Sequence, residues 1–220
     1  MTGIVLVHGA WHGAWCWDAV VADLTARGLP VTAVTLPLTG AADDVSAARA
    51  AIGAAGPGSV VVGHSYGGMV ISQAAVGLEV RRLVYLAAFL PESGEDMLTL
   101  LDGGDLTAAI LVDDSQVRID PAAAAGIFYG DADPDTAAAL VARLRPMAID
   151  AAMAAAPATV PAWRTVPTTY VVCTNDRALP VASQRAMATR ADEVVEWPTD
   201  HSPFVTRPDA IADLIGQHTT

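Results

Sequence analysis

A serine lies at the centre of the most informative pattern in this sequence, Gly63-His64-Ser65-Tyr66-Gly67. The apolar run 59–62 precedes the pattern and a helix-like segment follows it, so the serine is predicted to occupy a sharp turn between a strand and a helix. Such a turn strains the backbone of its central residue and requires small neighbours. The pattern is typical of a serine nucleophile; the plainer alternative is a Gly/Ser turn between two buried elements.

A serine hydroxyl needs a base to accept its proton, and the base needs a third group that holds its tautomer and stabilises its charge. These partners are expected in loops that follow strands, in the chain order serine, acid, histidine. Asp176 follows a strand-like run that ends at Cys173, and His201 follows one that ends at Trp197. We therefore predict that Ser65, Asp176 and His201 are the catalytic residues.

The other candidates for the base and the acid are weaker. His8 and His12 precede the serine in the chain, His64 is adjacent to the serine and is expected to point away from it, and His218 lies in the terminal tail. Asp200 is adjacent to His201, and adjacent side chains rarely reach the geometry of a hydrogen bond to Nδ1. We expect His8 to brace its loop by hydrogen bonding and to take no part in the chemistry.

Acyl transfer through a serine also requires N–H donors for the negative oxygen of the tetrahedral intermediate. Each donor can be worth about 2.7–4 kcal/mol in the transition state. The backbone of Tyr66, directly after the serine, offers one donor, and the loop after the first strand offers another, which we assign to Ala10.

The elements that must position these residues alternate between strands and helices. Strand-like apolar runs occur at 4–7, 30–36, 59–62, 82–87, 169–173 and 193–197. Helix-like segments separate them, and this order predicts an α/β fold with a mostly parallel sheet of about six strands flanked by helices.

The alternation is interrupted in residues 91–166, where no strand is predicted. Short helices are predicted there at 97–101, 133–144 and 148–156. We interpret 91–166 as a small helical cap inserted into a core domain formed by 1–90 and 167–220. The alternative is a partly disordered surface excursion, against which the spaced aromatic residues of the segment argue.

Composition and charge exclude several classes of partner. The chain has 220 residues and a net charge of −12, which argues against nucleic acid and anionic membranes. No run approaches the eighteen or so apolar residues of a membrane span, and no basic leader is apparent, so a cytoplasmic location is expected. Cys16 and Cys173 are expected to be buried thiols. We expect no metal and no cofactor. The sequence leaves open whether the protein forms a homodimer.

These features together resemble the α/β-hydrolase superfamily over essentially the whole chain, and especially its branch of plant methylesterases, hydroxynitrile lyases and bacterial esterases. The segments that carry the resemblance are 5–15 (VLVHGAWHGAW), 63–68 (GHSYGG), 173–180 (CTNDRALP) and 200–201 (DH). The resemblance implies the α/β-hydrolase fold, a triad of Ser65, Asp176 and His201, and oxyanion-hole amides at Ala10 and Tyr66.

The resemblance also bears on the reaction. The lyases of that branch carry a threonine after the first histidine and a lysine directly after the catalytic histidine. This chain has Gly9 and Ser202 at those positions and contains no lysine. Hydrolysis of a small to medium carboxylic ester is therefore favoured, and a serine nucleophile sets aside the haloalkane dehalogenases, which use aspartate. The alternatives are a ligand-binding protein, a biosynthetic tailoring protein, a hydroxynitrile lyase, a perhydrolase and a lactonase.

The substrate pocket is expected between the cap and the sheet. Its predicted lining consists of ring-bearing side chains, each of which could equally be core packing: Trp11, His12, Phe89, Phe128, Trp163 and Phe204. The cap departs most from the family pattern, because it is compact and rich in alanine. The sequence therefore does not identify the acyl and alcohol groups of the ester.

Overall fold

A computed structural model of the chain describes residues 2–101, 103–157 and 159–219. Its strands are β1 (Ile4–Val7), β2 (Val31–Val34), β3 (Ser59–His64), β4 (Val80–Leu86), β5 (Ile110–Val112), β6 (Gln116–Ile119), β7 (Met147–Ala148), β8 (Thr168–Cys173) and β9 (Glu193–Trp197). Its α-helices are α1 (Asp18–Ala26), α2 (Ala41–Ala55), α3 (Gly67–Ala74), α4 (Met97–Leu101), α5 (Asp105–Ala108), α6 (Pro121–Phe128), α7 (Pro134–Val141), α8 (Ile149–Ala152), α9 (Val181–Ala188), α10 (Pro203–Thr206) and α11 (Pro208–Gly216). Positions 1, 102, 158 and 220, which fall in the predicted core and cap ranges, lie outside the described residues.

Six of these strands form one sheet in the order β2-β1-β3-β4-β8-β9, and every neighbouring pair is parallel. Strands β1, β3 and β8 are buried along their whole length, as expected for apolar strands covered by helices on both faces. The predicted α/β fold with a parallel sheet of about six strands is confirmed. Because the strands are parallel, the loops after β3, β8 and β9 meet at one edge of the sheet.

The prediction that no strand occurs between residues 91 and 166 was wrong. Strands β5, β6 and β7 form a separate three-stranded antiparallel sheet. Asp113 closes the β5–β6 turn, since its Oδ1 accepts hydrogen bonds from the N–H groups of Ser115 and Gln116. The segment also contains α5 and α6, which were not predicted, and the helix expected at 148–156 is limited to Ile149–Ala152.

Helix α3 approaches the end of β1 closely, and glycine makes this approach sterically feasible. A Cβ atom on Gly67 would lie 2.6 Å from the carbonyl oxygen of Val7, and one on Gly63 would lie 2.7 Å from the carbonyl oxygen of Gly67. The glycines that flank Ser65 therefore keep the turn from β3 to α3 tight, as the sequence pattern predicts.

Both cysteines are free and buried, as predicted. None of the described helices has the length and the apolar character required to cross a membrane.

Candidate active site

Ser65 lies at the turn between β3 and α3 in a left-handed backbone conformation, with φ of +52°. This conformation is strained for a residue with a side chain. The surrounding backbone fixes it: Ser65 donates its N–H to Leu86 at 3.3 Å, and its carbonyl oxygen accepts the N–H groups of Gly68 at 2.9 Å and Phe89 at 3.1 Å. The serine is thus held against the end of β4, with its side chain at the wall of a cavity.

His201 and Asp176 form a buried pair beside this turn. The Nδ1–H of His201 donates to Oδ2 of Asp176 at 2.7 Å. The other carboxylate oxygen, Oδ1, accepts the backbone N–H groups of Ala178 at 2.7 Å and Leu179 at 2.9 Å. A carboxylate held in this way keeps the proton of the neutral imidazole on Nδ1 and leaves Nε2 free to accept one.

Gln184, on α9, is a fourth hydrogen-bond partner of Asp176, and the sequence did not predict it. Its Nε2 donates to Oδ2 of Asp176 at 2.8 Å and to the carbonyl oxygen of Leu179 at 2.8 Å. Its Oε1 accepts the N–H of Cys173 at 2.9 Å. The Gln184 amide is fully buried, and both its oxygen and its nitrogen are hydrogen-bonded. It therefore fixes the position of Asp176 Oδ2, which also accepts the hydrogen bond from His201 Nδ1.

Asp200, the weaker candidate for the acid, accepts hydrogen bonds from backbone N–H groups. Its Oδ1 accepts the N–H of Ser202 and its Oδ2 accepts the N–H of Asp131, both at 2.9 Å. Asp131 returns the contact by accepting the N–H of Asp200 at 2.7 Å. Burial raises the pKa of the Asp200 carboxyl. This reciprocal pair anchors the loop that carries His201 to the loop after α6.

His64 connects the serine turn to the His201 loop. Its Nε2–H donates to the carbonyl oxygen of His201 at 2.8 Å, and the two rings lie 4.6 Å apart between centroids. Burial lowers the pKa of His64 well below its ordinary value, so the ring is neutral. The described residues include no hydrogen bond between Ser65 Oγ and the His201 ring, although His64 holds the two loops together.

His8 and His12 are neutral braces in the loop after β1. His8 Nε2 accepts the N–H of Leu36 at 3.0 Å, and burial lowers its pKa to about 4. His12 Nδ1–H donates to the carbonyl oxygen of Ala10 at 2.8 Å, its Nε2 accepts the hydroxyl of Tyr129 at 2.8 Å, and burial lowers its pKa to about 3. The expected bracing role of His8 agrees with these bonds.

A cavity of about 310 Å³ opens above the serine. Ala10, Ser65 and Tyr66 lie in its wall, and neither the Ala10 N–H nor the Tyr66 N–H donates to another described residue. The opposite wall consists mostly of apolar side chains from residues 97–153, including Met97, Leu101, Leu106, Ile110, Val117 and Met147. The cavity therefore lies between the carboxyl edge of the sheet and the inserted segment.

The six predicted lining residues divide into two groups. Trp11 and Phe89 line the cavity, whereas the remaining four lie outside its lining and pack elsewhere: His12, Phe128, Trp163 and Phe204. Phe128 packs against the rings of His201 and Trp11, with centroids 5.8 and 6.0 Å away. Trp163 donates its Nε1–H to the carbonyl oxygen of Pro91 at 2.8 Å. The sequence analysis did not identify the aliphatic and methionine side chains that form most of the lining.

Within the described ranges, no group of three or more His, Cys, Asp or Glu side chains is placed to hold a metal ion. A second cavity of about 340 Å³ lies between α2 and α3; Tyr66 lines it, and Ser65 does not.

Comparisons with known proteins agree with this architecture. A family model described as "Alpha/beta hydrolase family" matches residues 4–214. Methylesterase 7 of Arabidopsis thaliana is 28% identical over 248 residues, which cover 96% of this chain and 94% of that protein. A carbendazim hydrolyzing esterase of Nocardioides sp. is 38% identical over 115 residues, which cover 46% of this chain and 48% of that protein. The crystal structure of a pyrethroid hydrolase from Sphingobium faniae superposes with a TM-score of 0.84 at 25% identity, covering 99% of this chain and 97% of that chain.

Proposed function

The chain belongs to the alpha/beta hydrolase family, and on that premise we propose that it is a serine carboxylesterase that works through an acyl-enzyme. One observation carries the proposal: the 2.7 Å hydrogen bond from His201 Nδ1 to Asp176 lies beside a strained serine that faces an apolar cavity. The esterases among its relatives support this reaction class.

In the proposed reaction, Ser65 Oγ attacks the ester carbonyl carbon while Nε2 of His201 accepts the hydroxyl proton. Asp176 stabilises the imidazolium that forms, because its carboxylate already accepts the Nδ1–H. The Ser65–His201 hydrogen bond is part of this proposal; such contacts are often long in resting enzymes and shorten when the substrate binds.

The negative carbonyl oxygen of the tetrahedral intermediate would accept the backbone N–H groups of Ala10 and Tyr66. Both residues line the cavity beside the serine, and their N–H groups are free of other described acceptors. His201 then gives its proton to the departing alkoxide, which leaves as the alcohol. In the second half of the reaction His201 takes a proton from water, the hydroxide attacks the acyl-enzyme, and the carboxylic acid is released with Ser65 restored.

Residues 91–166 act in this proposal as the cap that closes the cavity away from water. They supply most of its apolar lining, and the Asp131–Asp200 pair attaches them to the loop of His201. Excluding water strengthens the hydrogen bonds that stabilise the intermediate.

Hydrolysis is preferred to cyanohydrin cleavage because the chain places no ammonium group beside His201. Ser202 follows the histidine, and its buried hydroxyl has no hydrogen-bond partner among the described residues. In the lyases of the branch that this chain resembles, a lysine directly after the catalytic histidine stabilises the cyanide leaving group, and this sequence contains no lysine.

Labelling with a fluorophosphonate and hydrolysis of p-nitrophenyl butyrate test the proposal. We expect the probe to modify Ser65, and Ser65→Ala to lower kcat by at least about 10⁴-fold. Ser93→Ala, at an exposed serine whose hydroxyl bonds only the Thr159 carbonyl oxygen among the described residues, is the matched control and should retain wild-type kcat. Full turnover by the Ser65→Ala protein would refute the assignment.

A further inference from the structure

The catalytic cavity offers a substrate almost no polar contact apart from the groups that perform the chemistry. Every described side chain in its lining is uncharged, and Thr107 is the one hydroxyl besides those of Ser65 and Tyr66. Thr107 Oγ1 bonds the Gly103 carbonyl oxygen at 3.4 Å, and the Tyr66 hydroxyl donates to Asp44 at 2.8 Å. None of the buried, unpartnered polar side-chain atoms of the described chain belongs to a residue of this lining.

The opening of the cavity is apolar as well. Leu98, Val112 and Met153 line the cavity and are each about half exposed or more, which places them at its entrance. An entering carboxylate would lose its hydration there without gaining a hydrogen-bond donor or a cation, which disfavours its entry. The net charge of −12 also repels anions at longer range, which further disfavours anionic substrates.

From these contacts we infer that the site takes neutral esters with an apolar acyl chain and excludes esters whose acyl chain carries a carboxylate. The inference rests on the proposed esterase function and adds its substrate class. A cavity of about 310 Å³ is roughly twice the size of the engineered 150 Å³ cavity that holds benzene, so a medium-length alkyl chain or a substituted aromatic ring fits. The carboxylic acid product is an anion, and the same apolar surroundings promote its release.

Two activated esters with acyl chains of equal length provide the test. p-Nitrophenyl hexanoate ends in a methyl group, and mono-p-nitrophenyl adipate ends in a carboxylate. We expect kcat/KM for the hexanoate to exceed that for the adipate by at least about 100-fold. The neutral methyl p-nitrophenyl adipate should be cleaved within about tenfold of the hexanoate, which separates the effect of charge from that of length. A ratio near one between hexanoate and mono-adipate would overturn the inference.

A pair of arginine variants then locates the selectivity. Leu98 and Leu111 are both 49% exposed, but Leu98 lines the cavity and Leu111 does not. Leu98→Arg should improve kcat/KM for the mono-adipate relative to the hexanoate by about fivefold, because an exposed ion pair gains up to roughly 1 kcal/mol. Leu111→Arg adds the same charge outside the cavity and should leave the ratio within about twofold of wild type. An equal change in both variants would assign the selectivity to net charge and overturn the role of the lining.

A binding measurement keeps this inference separate from the esterase assignment. 2-Octanone and 7-oxooctanoate differ by the same exchange of methyl for carboxylate and contain no ester. We expect the ketone to give intermolecular NMR contacts to the Leu106 and Ile110 methyl groups, and the anion to bind at least about 30-fold more weakly. If neither ester were cleaved while the ketone still bound selectively, the proposed function would fail and the substrate class would stand. Equal binding of the two compounds would overturn the substrate class alone.

Discussion

Lowering the pH from 7 to 5 should destabilise this protein strongly, because buried neutral histidines resist protonation. Burial lowers the folded-state pKa of His8 from 6.5 to about 4 and that of His12 from 6.5 to about 3. As the pH falls below 6.5, the unfolded chain binds protons that the folded chain does not. The stability from these groups is therefore complete above pH 6.5 and is lost between pH 6.5 and about 4 for His8, and between pH 6.5 and about 3 for His12.

The size of the expected loss in folding stability follows from how far pH 5 lies below the unfolded-state histidine pKa of 6.5. At pH 5 each of His8 and His12 lowers the free energy of unfolding by about 2 kcal/mol, or by about 4 kcal/mol together. His64 acts in the same direction. Asp44 and Asp200 oppose the loss, since their pKa values are raised by burial and their protonation in the folded state stabilises it. A single domain has about 5–15 kcal/mol of stability in total, so the histidines remove a large share of it.

Urea unfolding at pH 7 and pH 5, followed by circular dichroism, measures this loss. We expect the free energy of unfolding to fall by about 3–4 kcal/mol. His8→Gln retains a donor and an acceptor but does not titrate, so its loss over the same range should be smaller by about 2 kcal/mol. An unchanged free energy between the two pH values, or an identical pH dependence in a folded His8→Gln protein, would refute the reasoning.

Two further predictions concern the side chains that support the proposed catalytic residues. Gln184→Leu removes one of the two donors to Asp176 Oδ2 and the acceptor of the Cys173 N–H. The carboxylate that orients His201 is then held less firmly, so kcat for p-nitrophenyl butyrate should fall by about tenfold while KM stays near wild type; an unchanged kcat in a folded Gln184→Leu protein would contradict this positioning role. Tyr66→Phe removes the hydroxyl that donates to Asp44 at 2.8 Å, so urea unfolding should show a loss of about 1–3 kcal/mol, while kcat stays near wild type because the proposed catalytic group of residue 66 is its backbone N–H. A large fall in kcat in a stable Tyr66→Phe protein would contradict that backbone role.

The sheet and the loops that follow its strands could be predicted because their signals are local. Each central strand is a continuous apolar run, and the runs alternate with helix-like segments, which is enough to predict a parallel sheet. Parallel connection then places the ends of β3, β8 and β9 at one edge of the sheet. The contact between Asp176 and His201 is a consequence of that topology, although the two residues are 25 positions apart in the chain.

The inserted segment was harder to predict because its elements are short and only half buried. In β6 the buried residues Val117 and Ile119 alternate with the exposed Arg118, and the turn before it has the sequence Asp113-Asp114-Ser115, a combination that favours turns. Together these signals indicate a hairpin, but three- and four-residue strands give too few alternating positions to distinguish them from a loop. Asp120-Pro121 is a similar missed signal, since Asp120 caps α6 and Pro121 occupies its first turn.

Gln184 could not be identified from sequence because nothing local marks it. It lies within an ordinary helix, and its role depends on α9 packing against the end of β8, where its amide meets Asp176 and Cys173. The cavity lining presented the same difficulty. Large rings were expected around the substrate, but Phe128 and Phe204 pack against the buried histidines, and the three-dimensional packing alone decides which apolar side chains face the cavity.

The residues proposed to perform the chemistry and the residues that line most of the substrate cavity lie on different parts of the fold. The loops that carry the proposed catalytic residues are fixed to one another through backbone groups. Asn175 donates its N–H to the Thr199 carbonyl oxygen at 2.9 Å, and His64 donates to the carbonyl oxygen of His201 at 2.8 Å. The cavity side chains come mostly from residues 97–153 and, among the described residues, make no hydrogen bond to the side chains of the proposed triad. Substitutions at Leu106 or Ile110 therefore change the shape offered to the acyl chain without removing a support of Asp176 or His201, so they should alter the preferred ester far more than the reactivity of the serine.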